Sequence, residues 1–279
     1  MQDLQNTPQI SVLMSVYNPG SREFFFDAVN SIISQTFSNW EMILCDNGSS
    51  EDQSEMIREA AALDSRIIYM RLEENKGIGA ALNAAINISS GRYIARMDAD
   101  DISKPERFSC QYEFLENNPG YQWVGSNAEL INSNGRWAVW RMPKKPDSKD
   151  FLRFSPYIHP SVMFRKDVLV QNGGYPEKGG RAEDYLLFMD LHSKGFRGYN
   201  LQKVLFEYRE DRNSYRRRNF SSWICEIKIR FEGFKKLGIL NLKTIFYVIK
   251  PFAVGLIPKF FIAEYKQRIR KGAYVERRK

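Results

Sequence analysis

Apolar residues run almost unbroken through "ISVLMSVYN" (10–18), a stretch short and β-rich enough to read as a strand buried on both faces. The period then changes. In "REFFFDAVNSIISQ" (22–35), Phe25, Ala28, Val29, Ile32 and Ile33 recur at helical spacing. A second strand follows at "WEMILC" (40–45), an amphipathic helix at 52–63 and a third strand at "RIIYMRL" (66–72). "GIGAALNAAINIS" (77–89) predicts a helix of small residues that can lie close against a sheet, and "RYIARM" (92–97) a fourth strand. Strands alternating with helices predict an α/β fold: a doubly wound, mostly parallel sheet with right-handed crossovers, flanked by helices.

That pattern gives the acidic residues a place. In doubly wound sheets ligands bind beyond the carboxyl ends of the strands. Asp46 follows the second strand, and Asp98, Asp100 and Asp101 follow the fourth. A solvated turn does not predict that coincidence. Three carboxylates within four residues repel one another unless something cationic sits among them. The first strand runs into "YNPGSREFF", with neither G-x-G-x-x-G nor G-x-x-x-x-G-K-[ST], so no glycine-rich phosphate loop is expected. A diphosphate would instead be neutralised by Mg²⁺ or Mn²⁺ on carboxylate oxygens, the ligands that hard cations prefer.

Together, "ISVLMSVYN", "SIISQTFSNWEMILCDNGSSED", "NKGIGAALNAAINISSGRYIARMDADD" and "AEDYLLF" resemble the family 2 glycosyltransferases, over roughly residues 9 to 208. The resemblance implies a GT-A fold and an inverting enzyme that uses a nucleotide-diphosphate sugar. It implies that Asp46 bonds the nucleobase, usually uracil, and that Ser15 and Tyr17, with Asn18 beside them, wall the base and ribose. Asp98 would lie near ribose and metal, Asp100 would ligate the metal, and Asp184 would be the general base with Glu183 orienting it or the acceptor. An inverting base turns an α-linked donor into a β-linked product, whereas a glycosidase needs two carboxyls flanking the bond. Asn47 stands where the family commonly has a second acid, and no Q-x-x-R-W motif follows the base, so transfer of one sugar per encounter is expected.

Other residues keep two readings. His159, in "YIHPSVMF", touches metal or diphosphate, or is a hydrogen-bonded core histidine. Lys76 reaches the donor or is a solvated loop lysine. Arg96 bonds the donor sugar or pairs with Asp101. Trp123, Trp137 and Trp140 form a sugar-stacking platform or belong to the core. His192 reads as structural, and Arg216, Arg217 and Arg218 as lipid-diphosphate contacts or a solvated cluster.

Charge divides the chain. Residues 203–279 hold 20 Lys/Arg against 7 Asp/Glu, although the whole chain is only +8. The expected organisation is a catalytic domain over 1–215 and a basic, amphipathic helical extension over 216–279. Within it Trp223, Ile227, Phe231 and Phe234 are predicted to share one helical face. The segment 244–263 carries Lys250, Pro251, Pro258 and Lys259, too much interruption for a membrane span. It suits an interfacial segment on an anionic leaflet. Three widely spaced cysteines and a polar N-terminus predict a cytoplasmic protein, held on the inner face of the cytoplasmic membrane. The acceptor class expected is a lipid-linked saccharide on the way to a surface polysaccharide. An acidic site argues against nucleic acid as a partner. Two competing readings are a sugar-phosphate nucleotidyltransferase, whose glycine-rich signature is missing after the first strand, and a non-catalytic carbohydrate-binding module.

Overall fold

The computed structural model describes residues 7–177, 182–210, 220–255 and 275–277. The doubly wound half is β1 (Ile10–Val16), α1 (Arg22–Ile33), β2 (Trp40–Asn47), α2 (Glu51–Ala61), β3 (Ile67–Leu72), α3 (Ile78–Ile88) and β4 (Tyr93–Met97). These strands pair in parallel in the order β3-β2-β1-β4. The chain winds outward in one direction from β1 to β3 and then returns to β1's other side at β4. The order therefore reverses between β1 and β4, and the crevice at their carboxyl ends is where such sheets take ligands.

Local chemistry accounts for these elements. Ser21 caps α1 by accepting from the Phe24 N–H at 3.3 Å, and Phe25, Ala28, Val29 and Ile32 turn inward. Small residues let α3 lie close. A Cβ on Gly79 would sit 2.6 Å from the Pro176 carbonyl oxygen, so the start of α3 touches the loop ahead of residue 182. At the opposite end of the sheet, Glu41 accepts from Ser11, Ser90 Oγ and the Ser90 N–H, a buried knot that fastens the amino ends of β1 and β2.

Beyond β4 the sheet changes character. It continues through β5 (Ile102–Ser103), α4 (Arg107–Asn117), β6 (Trp123–Asn132), β7 (Gly135–Trp140), β8 (Met163–Arg165), α5 (Lys166–Gln171), α6 (Glu183–Ser193) and β9 (Gly198–Arg209). Here β8 pairs antiparallel to both β4 and β6, and β7 antiparallel to β6, while β9 runs parallel to β6. Helices α7 (Phe220–Lys236) and α8 (Ile245–Gly255) follow, and β10 (Val275–Arg277) pairs with β7. The basic extension thus returns to the sheet edge, with no helix among the described residues long and apolar enough to cross a membrane.

Two apolar clusters fill the molecule, one built with Phe25, Val29 and Phe108, the other with Leu82, Trp123 and Phe188. Trp123 is fully buried against Tyr157, Phe164, Phe188 and His192, so it is core rather than a sugar platform. Trp140 and Tyr208 pack edge-to-face, their ring centroids 5.6 Å apart. His192 is structural, its Nε2 2.9 Å from Tyr157 Oη, and burial holds its pKa down at about 4.

Candidate active site

Three loops meet above the carboxyl ends of β1, β2 and β3. Asn18 is the one non-glycine residue with positive φ among those described, at 44°. Its N–H donates to Ser49 Oγ at 3.0 Å and its Oδ1 accepts from the Ser50 N–H at 3.0 Å. Asn47 Oδ1 accepts from the Lys76 N–H at 3.1 Å, and its Nδ2 donates to Asn75 Oδ1 at 3.2 Å. Gly48, at φ +75°, lies where any Cβ would collide with the backbone of Glu74 and Asn75. The three loops are therefore stitched together by side chains, mostly on backbone, leaving Tyr17 51% exposed on the rim with Ser15 half-buried beneath.

Asp46 holds this rim from below. It is fully buried. Oδ1 accepts from the Ser49 N–H at 2.8 Å; Oδ2 accepts from Ser54 Oγ and, at 3.0 Å, from Tyr69 Oη. Burial pushes the carboxyl up, but hydrogen bonds from Ser54, Ser49 and Tyr69 outweigh it and hold it below the usual carboxylate range. Both oxygens are occupied from inside the protein. As placed, Asp46 fastens the turn that shapes the rim rather than presenting an open carboxylate to a nucleobase.

The acidic cluster at the end of β4 divides by burial. Asp98 keeps 31% of its side chain exposed and pairs with the buried guanidinium of Arg96. The expected ion pair of Arg96 with Asp101 is formed with Asp98 instead. Asp101 is buried and accepts from the Arg209 N–H at 2.7 Å, tying the β4 loop to the end of β9. Asp100 is exposed at the surface, and Arg209 Nε donates to its carbonyl oxygen at 2.7 Å. Although the residue is exposed, loss of hydration around its carboxyl, then the Asp98 charge, push Asp100 up to about 6. Burial, then Asp100 and Asp98, push Asp101 well above its ordinary value. Asp98 and Asp100 are oxygen donors open to solvent, and they fit a hard divalent cation that keeps waters or phosphate oxygens as its other ligands.

His159 does not join them as a ligand. It is 6% exposed in a short turn, His159–Ser161, and its Nε2 lies 3.0 Å from Tyr175 Oη. Burial, and then the Arg96 charge, hold it well below its usual pKa, so it is neutral. Among the described residues no three His, Cys, Asp or Glu side chains are grouped as a metal cage.

Helix α6 brings the last two carboxylates to the same place. Glu183 and Asp184 occupy its first turn, where the helix dipole favours negative charge. Burial, then the Asp184 charge, push Glu183 up to about 7, and burial also raises Asp184. The charges of Arg96 and Asp98 act on both. One compact charge group therefore spans residues 96, 98, 183 and 184. Within it Arg96 Nε and Glu183 Oε2 are buried without a hydrogen-bond partner among the described residues, groups that a bound ligand can satisfy.

Two positioning residues escape sequence reasoning. Asn83, on α3, accepts from the Tyr175 N–H at 2.7 Å and donates to the Tyr175 carbonyl oxygen at 2.9 Å, so it clasps the loop ahead of α6. Tyr175 carries the clasp on to His159. The one sequence signal was the glycine pair before Tyr175: Gly173 and Gly174 both adopt positive φ, at 83° and 82°. Arg216, Arg217 and Arg218 lie outside the described residues.

Comparison with known proteins agrees with this layout. The model of glycosyl transferase family 2 matches residues 11–172. EpsE of Bacillus subtilis, named as a glycosyltransferase, is 31% identical over 268 residues, 95% of each chain. An Escherichia coli protein named UDP-Gal:α-D-GlcNAc-diphosphoundecaprenol β-1,3-galactosyltransferase is 30% identical over 273 residues, covering 95% of this chain and 98% of its own. A mannosyltransferase of Pyrobaculum calidifontis, solved with GDP-mannose and Mn²⁺, shares the fold with a TM-score of 0.60 at 16% identity, over 96% of this chain and 76% of its own. With a family model over more than half its length, and a relative aligned along nearly all of it, this chain belongs to glycosyltransferase family 2.

Proposed function

We propose that this glycosyltransferase is metal-dependent and inverting, and moves one sugar from a nucleotide-diphosphate donor, UDP-linked, to a hydroxyl of a lipid-linked saccharide. The observation that carries the reading is the charge group at the β1–β4 switch point. Asp98 and Asp100 face solvent at one side of it, and Glu183 and Asp184 meet it from α6. Asp98 and Asp100 would hold Mg²⁺ or Mn²⁺. When bound, such an ion supplies Lewis acidity toward the charge that develops on the departing diphosphate.

The chain's own residues do the rest. Tyr17 and Asn18, with Ser15 beneath, flank the nucleoside on a rim kept rigid by Asp46, and Lys76 stands at the edge where its ammonium meets donor phosphate. Arg96, paired with Asp98, keeps the carboxylates from repelling one another before the donor arrives. Asp184 takes the proton from the attacking hydroxyl, and Glu183, raised to about 7, orients it and shares the proton. The galactosyltransferase relative is named for a UDP-sugar and a diphosphoundecaprenol-linked acceptor, which supports both substrate classes here. A lipid-linked acceptor in turn supports attachment to the inner face of the cytoplasmic membrane through the basic extension.

The test is a panel of UDP-sugars with Mn²⁺, read by nucleotide release, comparing wild type with Asp184→Asn. The variant should bind UDP normally and lose about 10²–10⁴-fold in kcat, the range for a general base. A near-wild-type rate would move the base elsewhere. A product with retained anomeric configuration by NMR would refute inversion.

A further inference from the structure

Exposed large apolar side chains are concentrated in one part of this molecule. Half of those exposed on the described surface lie between residues 224 and 249: Ile224, Phe231, Leu242, Phe246 and Ile249. Leu242 is 95% exposed and Phe246 68%. The sequence predicts one helical face made of Trp223, Ile227, Phe231 and Phe234. The structure splits that set, burying Trp223 and Phe234 and leaving Phe231 outside. The outer stripe of α7 is instead Ile224, Lys228, Phe231 and Lys235, all exposed and spaced at four, seven and eleven residues. On and ahead of α8, Leu242 and Phe246 flank exposed Lys243. From residue 223 to 251 there are six Lys/Arg and two Asp/Glu.

The hairpin is seated on the helix that starts with the catalytic carboxylates. Arg230 is buried; its Nη1 donates to the Leu152 carbonyl oxygen at 3.2 Å, and its guanidinium lies 5.1 Å from the centre of the Tyr185 ring. Tyr185 is the residue next to Asp184. Further along, Lys236 Nζ bonds Asp190 Oδ1 at 2.5 Å, and a Cβ on Gly233 would collide with Met189. Both ends of the α6–α7 contact are therefore fixed, and α7 cannot turn its outer stripe without moving α6.

We propose that the outer face of α7 and α8 is a lipid-facing platform for an anionic bilayer, one that holds the base-bearing helix at a set orientation to the membrane. It rests on the proposed membrane attachment, and assigns it to this hairpin rather than to the residues beyond 255. Charge complementarity selects the occupant. Single apolar side chains separated by lysines match acyl chains beneath anionic headgroups. A protein groove would need a contiguous apolar stripe, and here lysines interrupt it.

The experiment is co-sedimentation of the full chain with vesicles of phosphatidylcholine, alone or with about one-third phosphatidylglycerol. Wild type should bind only the anionic vesicles, and less as salt rises. L242S/F246S/I249S should lose about tenfold or more in partitioning, because it removes the inserting groups. K228Q/K235Q/K243Q should lose about 10²-fold, each lysine contributing about fivefold, with a flatter salt dependence. All six side chains are exposed or surface-facing, and UDP binding with Mn²⁺, measured in parallel, should stay at wild-type affinity in both variants. Full vesicle binding by either variant would overturn the proposal, as would equal binding to neutral vesicles. So would no vesicle binding together with a wild-type dimer that L242S/F246S/I249S dissolves, since a second copy would then cover the face. None of these outcomes touches the transferase reading, which is tested by nucleotide release without vesicles.

Discussion

Replacing Asp46 by alanine separates two roles that the sequence alone confounds. If this carboxylate met a nucleobase, its loss would weaken UDP binding and leave the fold untouched. In the structure it has no exposed surface and receives three donors: the Ser49 N–H, Ser54 Oγ and Tyr69 Oη. Asp46→Ala leaves the buried Ser49 N–H unpaired and Ser54 Oγ with only a long, 3.5 Å contact to the Ser49 carbonyl oxygen, at about 1–3 kcal/mol each. Tyr69 is only partly buried, so water can replace its lost partner. Relief of the buried charge offsets part of the loss, which leaves a net cost of about 3 kcal/mol. In a chain of this size that lowers Tm by roughly 6–12 °C. Asp46→Asn keeps the shape, and both hydroxyls can reverse to donate or accept, so its cost is smaller, about 1–2 kcal/mol. Thermal and urea unfolding measure both variants, with UDP and Mn²⁺ titrated separately at a temperature where each is folded. A double-mutant cycle with Tyr69→Phe should show coupling of about 1 kcal/mol. An Asp46→Ala protein that melts with wild type but no longer binds UDP would refute the reasoning and return the carboxylate to the base.

Asp100→Ala should abolish turnover without lowering Tm, because the side chain is exposed and its removal relieves repulsion with Asp98; chelator should do the same to wild type, and full activity in chelator would remove the metal from the mechanism. The buried histidines set a pH dependence. His192 titrates at about 4 when folded and near 6.5 when unfolded, so the unfolded chain binds the extra proton between those values. Its stabilising contribution is complete above about pH 6.5 and is lost as pH falls through about 4, up to about 3 kcal/mol. Tm measured against pH should fall less steeply for His192→Gln than for wild type, and parallel curves would show that His192 is not the group responsible.

The first four strands and three helices were readable in the sequence because burial on two faces, one face or none leaves a period in the residues themselves. Topology followed from alternation, and with it the placement of Asp98, Asp100 and Asp46 at the carboxyl edge. The segment after β4 left a weaker trace. Strands β8 and β5 are three and two residues long, too short to carry a period, and their antiparallel pairing depends on partners far along the chain. Side-chain roles within the acidic edge were a tertiary matter for the same reason. Asp46 and Asp100 look alike as letters, yet one is sealed under donors from 49, 54 and 69 and the other lies open. Arg96 meets Asp98 because of where strand β4 ends, and His159 meets Tyr175 because Asn83, 92 residues before it, holds that loop. Periodicity records which side of an element is buried. It does not record which polar group on another element is waiting there, and at this site that second fact decides which carboxylate is sealed inside and which lies open to solvent.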